Sequence, residues 1–395
     1  MLTSSSLPVE LWLEIFRWAT LTPSTHALYA TKYCPFDVMA VHGSDEAKST
    51  KRALSLVCKQ WRAWTEPLLY EDIVIPMADL PLCSDRMPLR APSYREDETA
   101  TLPCAHWVRR VQLPYSSTTV TSPPPSHIKA VELLASFQSV EVLVRTADTF
   151  ELLPMAFEFE TDCPPLPSLK RLDWWHHNEA ARTGGINSLS HVLKNAPNLE
   201  YLSIGGELWP HFMNEPPVRL PRLTTLHLRR LNAFFVLQMS RWSLPALEHV
   251  VFDHIQNADV YWPFWKVFGA QVRTVELGVS LKFYIRDFLS FVFSGCPNLE
   301  ELNYYVLFTH VPQVEHPQES IRTIGLHAFS NAFFRIGSPE FWSQLKQHFE
   351  AFTGGNFPSL RRIRLYGEWT AIVEDAEFEQ LVQPLRDRGC TVEMV

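Results

Sequence analysis

Two rules of hydrophobic spacing divide this chain. In the first stretch Leu7, Leu11 and Ile15 recur every four residues with Trp12 and Phe16 beside them, the stripe of an amphipathic helix. Pro8 suits a first turn, where its missing N–H has no partner to lose, and Glu10 meets the positive end of the helix dipole. A second helix is predicted from Lys51 to about Trp64, with Leu54, Val57, Cys58 and Trp61 on one side and Lys51, Lys59 and Arg62 elsewhere; Pro67 should stop or kink it. Between the two, Pro23, Pro35 and Gly43 break every period, so residues 21–50 are expected to be a loop. After the apolar Ile73-Val74-Ile75, residues 76–105 hold five prolines and the charged run Arg95 to Glu98, which predicts a linker.

From residue 106 to 395 the rule changes. Val108-Arg-Arg-Val111-Gln-Leu113 opens a series of ten apolar-x-x-apolar-x-apolar signatures that ends at Leu360-Arg-Arg-Ile363-Arg-Leu365. The intervening anchors are Val140, Leu169, Leu199, Leu223, Leu247, Val272, Leu299 and Ile321, so the step averages about 28 residues, within the range of leucine-rich repeats. Each signature predicts a short strand with its apolar residues in a shared core. Ile186 to Ala196, Asp287 to Gly295 and Phe341 to Phe352 carry helical spacing between strands. Where such repeats carry Asn, this chain has Ser116, Asp148, His177, Glu207, Leu231 and other residues, so an irregular α/β solenoid is expected.

Strand alternation names the side chains opposite the buried anchors: Arg171, Asp173, Trp175, Tyr201, Ser203, His227, Arg229, His249, Asp253, Glu276, Glu301, Asn303, Tyr305, His327, Arg362, Arg364 and Tyr366. Their mixture of both charge signs with Trp, Tyr and Arg suits a protein partner on the concave face, and an ordinary solvated sheet face is the plain alternative. Arg361, Arg362 and Arg364 also admit a phosphate-binding reading, weakened by the nearby Glu368 and Glu374.

Composition narrows the classes. Lys and Arg number 35 against 43 Asp and Glu, a net charge of −8, so no global field draws the chain to nucleic acid or an anionic membrane. Hydrophobic residues make up 46% and charged residues 20%, the balance of a folded protein. With 30 Pro against 14 Gly, turns are expected to be made by proline. The seven Cys include no CxxC pair, no stretch reaches the length of an apolar membrane span, and a cytoplasmic or nuclear location is expected. Nucleotide-binding, metalloprotease and hydrolase motifs are missing, so neither a catalytic residue nor a cofactor or metal is assigned. Cys58 is expected to be a small core hydrophobe. His176 and His177, adjacent in a strand, are expected to form a surface or turn pair rather than a shared ligand set.

Leu7-Pro8-x-Glu10-x-x-x-x-Ile15-Phe16 followed by Leu56-Val57-Cys58-Lys59-x-Trp61-Arg62 resembles the F-box. In that family the helical module docks on the Skp-type adaptor of cullin-RING ubiquitin ligases, and an F-box ahead of leucine-rich repeats, frequent among fungal members, implies a substrate receptor. By this resemblance Leu7, Pro8, Leu11, Ile15, Phe16, Leu56, Val57 and Trp61 line the adaptor contact or its immediate support. The expected organisation is an F-box-like helical domain over residues 1–75 with an inserted loop at 21–50, a linker at 76–105 and a repeat domain at 106–395. The insert departs from the family, whose motif is compact there. Three functions stay open: a non-catalytic substrate receptor linked through the adaptor to cullin; a solenoid interaction scaffold outside any ligase, whose N-terminal helices only cap the array; or an enzyme with an unrecognised site, which would need a deep polar pocket with strongly perturbed titratable groups.

Overall fold

The computed structural model describes residues 7–21, 27–36, 45–74, 105–113, 115, 130–146, 162–206, 217–254, 261–278, 287–311, 314–329 and 337–395. The predicted linker therefore lies, but for Ala105, outside the described residues. The chain is a mixed α/β protein that divides into two compact units. The first holds residues 1–31 and 38–202, and the second holds residues 32–37 and 203–395. One division thus falls inside the insert, between Thr31 and Lys32.

The first unit opens with three helices. Helix α1 (Val9–Thr20) starts at Pro8, whose carbonyl accepts the amides of Leu11 and Trp12. Helices α2 (Asp45–Val57) and α3 (Lys59–Tyr70) replace the single helix expected from Lys51. The break is Cys58, extended at φ −161° and ψ 169°, with its Sγ accepting the Trp61 amide at 3.4 Å. Cys58 is exposed and caps a helix, which corrects its assignment to the core. Residues 45–50, placed in the loop by the sequence pattern, are the first turns of α2. Pro67 neither stops the helix nor marks its end, since α3 runs on to Tyr70.

Strands β1 (Asp72–Val74), β2 (Arg110–Gln112), β3 (Val142–Arg145) and β4 (Arg171–His176) follow, each parallel to the next. Their register aligns Ile73, Val111, Leu143 and Leu172 in one apolar row. Helix α4 (Ala130–Ser136) lies between β2 and β3 in the chain; α5 (Asn178–Ala181) and α6 (Leu189–Lys194) lie between β4 and β5 (Tyr201–Gly206). One repeat breaks the apolar rule. Arg145 stands where a leucine is expected and is 1% exposed, donating from Nη2 to the Ile186 carbonyl and to Asn187 Oδ1, both at 3.0 Å, with its guanidinium over the Tyr115 ring at 4.6 Å.

The chain passes into the second unit within β5. There β6 (Thr225–Leu228), β7 (His249–Phe252), β8 (Thr274–Leu277), β9 (Glu301–Tyr305), β10 (Thr323–Ala328), β11 (Arg362–Gly367) and β12 (Thr391–Met394) are again parallel and in chain order. Leu226, Val250, Val275, Leu302, Ile324 and Ile363 form the continuous row at the centre of this core and have no exposed surface. Helices α7 (Ala233–Met239), α8 (Trp262–Phe268), α9 (Leu289–Gly295) and α10 (Pro339–Thr353) lie between successive strands from β6 to β11, except between β9 and β10, and α11 (Thr370–Val373) and α12 (Ala376–Asp387) both lie between β11 and β12. Their aromatic residues fill what the ladder leaves: Phe252 packs edge-on against Trp265 at 5.3 Å, and Phe349 against Phe378 at 5.7 Å.

Candidate partner-binding surfaces

The three N-terminal helices bury one set of aromatic residues and expose another apolar set. Phe16, 1% exposed, packs against Trp61 at 4.8 Å and Trp12 at 5.8 Å, and Trp12 meets Trp61 at 5.1 Å. Phe16 therefore lies beneath the surface, in the supporting position the resemblance allows it; Trp61 is half-buried in the same cluster. Leu7, Leu11 and Ile15 are 42–49% exposed, while Val57 reaches 59% and Leu56 83%; Pro8 is exposed as well. Eight of the fifteen exposed large hydrophobic residues among those described lie between Leu7 and Val57, with Val9, Trp18 and Leu21 completing the set. These side chains do not serve the core. Elsewhere Lys51 Nζ meets Glu71 Oε1, just ahead of β1, at 2.5 Å, and Tyr70 stacks on Trp107, just ahead of β2, at 6.1 Å.

The sheet face differs more from expectation. It is not an open solvated surface, because described residues of the insert lie on it in each unit. In the first unit, residues 27–29 form a helical turn. Arg171 Nη1 donates to the carbonyls of Ala27 and Ala30, both at 2.8 Å, while its Nε meets Asp173 Oδ2 at 3.0 Å and its guanidinium lies 4.3 Å from the centre of the Tyr201 ring. Arg171, Asp173 and Tyr201 are consequently buried, and Ser203, at the second unit's start, has no exposed surface. Trp175 is half-buried, its carbonyl accepting the Tyr115 hydroxyl at 2.9 Å.

In the second unit, Tyr33 and Phe36 sit on the face. The Tyr33 hydroxyl donates to Glu276 Oε2 at 2.6 Å and accepts from Asn303 Nδ2 at 2.7 Å, and its ring stacks on His249 at 5.0 Å. The Phe36 amide donates to the same Glu276 Oε2 at 2.9 Å. Its ring reaches His327 and Tyr366, both at 5.0 Å, and Tyr305 at 5.4 Å. Strand register explains the arrangement: Glu276, Asn303, Gly325 and Arg364 occupy one row across β8 to β11, with Tyr305, His327 and Tyr366 in the row two residues on. Gly325 keeps the row open, since a Cβ there would stand 1.9 Å from Asn303 Oδ1. Burial pushes the Glu276 carboxyl up to about 7, against the opposing pull of the Tyr33 and Phe36 hydrogen bonds. Burial likewise holds the His249 and His327 imidazoles below their usual range.

The remaining predicted face residues divide. His227 is buried, with Nε2 2.8 Å from Asp253 Oδ2. Arg229, Asp253 and Glu301 are half-buried, and Glu301 accepts from Asn303 at 2.8 Å. Arg362 is exposed and Arg364 half-buried, but Glu393 stands 3.7 and 3.4 Å from their Nε atoms, so the proposed anion-binding pair already has a carboxylate between its members. His176 is 1% exposed in β4, and desolvation pushes its imidazole down to about 3, correcting the surface-pair expectation.

Sequence reasoning named Glu276 and Asn303 but missed Tyr33 and Phe36. The available signal was two aromatic residues bracketing Pro35 in a segment otherwise read as featureless. Among the described residues no group of His, Cys, Asp and Glu is arranged to hold a metal ion, and no helix is long and apolar enough to cross a membrane. No family model matches the chain, and no curated protein matches it significantly.

Proposed function

We propose that this chain is the non-catalytic substrate-recognition subunit of an SCF-type cullin-RING ubiquitin ligase. Its F-box-like helices dock the Skp-type adaptor, and its strand repeats hold the protein to be modified. The observation that carries this reading is the exposed apolar set of Leu7, Leu11, Ile15, Leu56 and Val57 over a buried aromatic cluster. A helical cap has reason to bury such residues against the array and to present a polar outer face. Here the polar requirement is reversed, and a contiguous interface with a protein partner supplies the reason. The two sequence halves resembling the F-box fall on α1 and on the α2–α3 junction, where the exposed residues are. In this reading the protein contributes binding and positioning alone, and the chemistry belongs to the ligase machinery.

Co-expression of the full chain with the adaptor, read by size exclusion, tests this. Wild type is expected to co-elute one to one, and the double variant Leu11→Asp, Ile15→Asp to remain folded with an unchanged melting temperature yet elute alone. A folded wild type that ignores the adaptor rejects the receptor reading in favour of a scaffold.

A further inference from the structure

The second unit's sheet face carries a built polar site that its own chain occupies. Glu276 is 5% exposed and Asn303 has no exposed surface, although strand alternation turns both away from the apolar core. What meets them is the short segment at residues 32–36. Its hydroxyl and amide donate to Glu276, its hydroxyl accepts from Asn303 Nδ2, and its two rings lie on His249 and on the Tyr305, His327 and Tyr366 group. Two features set the segment apart from the fold around it. It joins no strand, so side chains and the Phe36 amide hold it rather than a ladder. Phe36 also has φ 55°, the sole positive φ of a non-glycine residue among those described, so the occupant carries backbone strain that its departure relieves. On departure Glu276 and Asn303 meet water, which satisfies them; an apolar face has no such alternative.

We infer that this face is a recognition site for a short turn-forming protein segment carrying Tyr and Phe three residues apart, that Tyr33 and Phe36 fill it in cis, and that a partner enters by displacing them. The inference deepens the target-binding half of the function proposed above and stands apart from the adaptor half. Specificity follows from the contacts. The tyrosine hydroxyl is read by one acceptor and one donor, and a phosphorylated tyrosine is excluded because its ester oxygen has no proton to donate to Glu276. The second aromatic side chain is read by ring contacts. A tethered occupant has an effective concentration of about millimolar, so a free segment competes poorly until the tether's aromatic residues are removed.

The test uses a fluorescein-labelled peptide of residues 31–37 with Cys34→Ser, titrated against the full chain and against its Tyr33→Ala, Phe36→Ala variant. The variant is expected to bind the peptide at least tenfold more tightly than wild type, and to ignore the same peptide carrying phosphotyrosine. A folded variant that leaves the peptide unbound, binds it no better than wild type does, or accepts the phosphorylated form overturns the inference. Should the variant not fold, amide exchange of wild type decides. A displaceable occupant requires the Phe36 amide to exchange at least tenfold faster than the amides of β8 to β10, and equal protection overturns it. Co-elution of the folded variant with the adaptor is measured in parallel: retained adaptor with no peptide binding sinks this inference alone, and peptide binding without adaptor sinks only the adaptor reading.

Discussion

Glu276 couples the docked segment to pH. Its carboxyl sits at about 7 against an ordinary 4.5, so between those values the native state binds more protons than the unfolded chain, and stability falls as pH rises. Its contribution is complete below pH 4.5 and lost through pH 7, a span worth about 3 kcal/mol at most. The neighbouring groups are Tyr33, His227, His249, Asp253, Glu301 and His327, of which His249 and His327 resist protonation and act in the opposite sense. Comparison isolates the carboxyl: the stability of wild type minus that of Glu276→Gln, from urea denaturation, should decline from pH 4.5 to 7 and then level. A flat difference would mean that the carboxyl is solvated in the native state. His348 gives the reverse dependence elsewhere in the second unit. Buried between the Tyr304 hydroxyl and the Thr309 carbonyl, its imidazole is pushed down to about 4, so its contribution is full above pH 6.5 and lost as pH falls toward 4. Neither group was legible as a titrating site in the sequence, because the shift comes from burial by residues distant in the chain.

At the scale of the element, the N-terminal helices separate surface from support. Phe16→Ala removes a ring from a closed aromatic cluster and should cost about 3–5 kcal/mol, lowering the denaturant midpoint of the first unit. Leu11→Asp with Ile15→Asp alters side chains that are about half exposed and should leave that midpoint nearly unmoved. If both variants lose stability equally, the exposed set is structural. Spacing revealed the stripe of α1, since Leu11 and Ile15 fall four apart within the helix and both are exposed, while Leu7 lies ahead of its first turn. It did not reveal that Phe16, one position on, turns inward while the stripe stays outside. Periodicity identifies a face but cannot say which face is buried when a helix carries apolar residues on both. The split of the second helix at Cys58 escaped for a related reason: a single extended residue leaves the apolar period of its flanks nearly intact.

Across the whole molecule, the ten signatures were readable because each places apolar residues at a fixed spacing that only a stacked core repays. Val111, Leu172, Val275 and Ile363 have no exposed surface. Strand β1 was harder, with Ile73 its one buried residue, and β12 escaped because Thr391, Glu393 and Met394 are exposed and carry no signature. Helix α12 was missed alongside it, although Phe378, Val382 and Leu385 are buried. These two elements close the side of β11, so deleting residues 376–395 should expose Phe349 and the Ile363 row. The expected result is a lower, broader melting transition with increased binding of a hydrophobic dye; an unchanged transition would mean that β11 tolerates an open edge.

The order in which these contacts become available follows from the strand order. Each strand beyond β5 pairs with its sequence neighbour, so the ladder closes through contacts local in the chain and can grow as the chain is made. The hydrogen bond from Phe36 to Glu276 spans 240 residues. At about 5–20 residues per second, a ribosome that has finished the segment needs roughly 10–50 s to make the carboxylate it will meet. The residues that cover this face are synthesised before the strands that form it and can dock only after those strands exist, so every newly made molecule passes through an interval in which the face stands open.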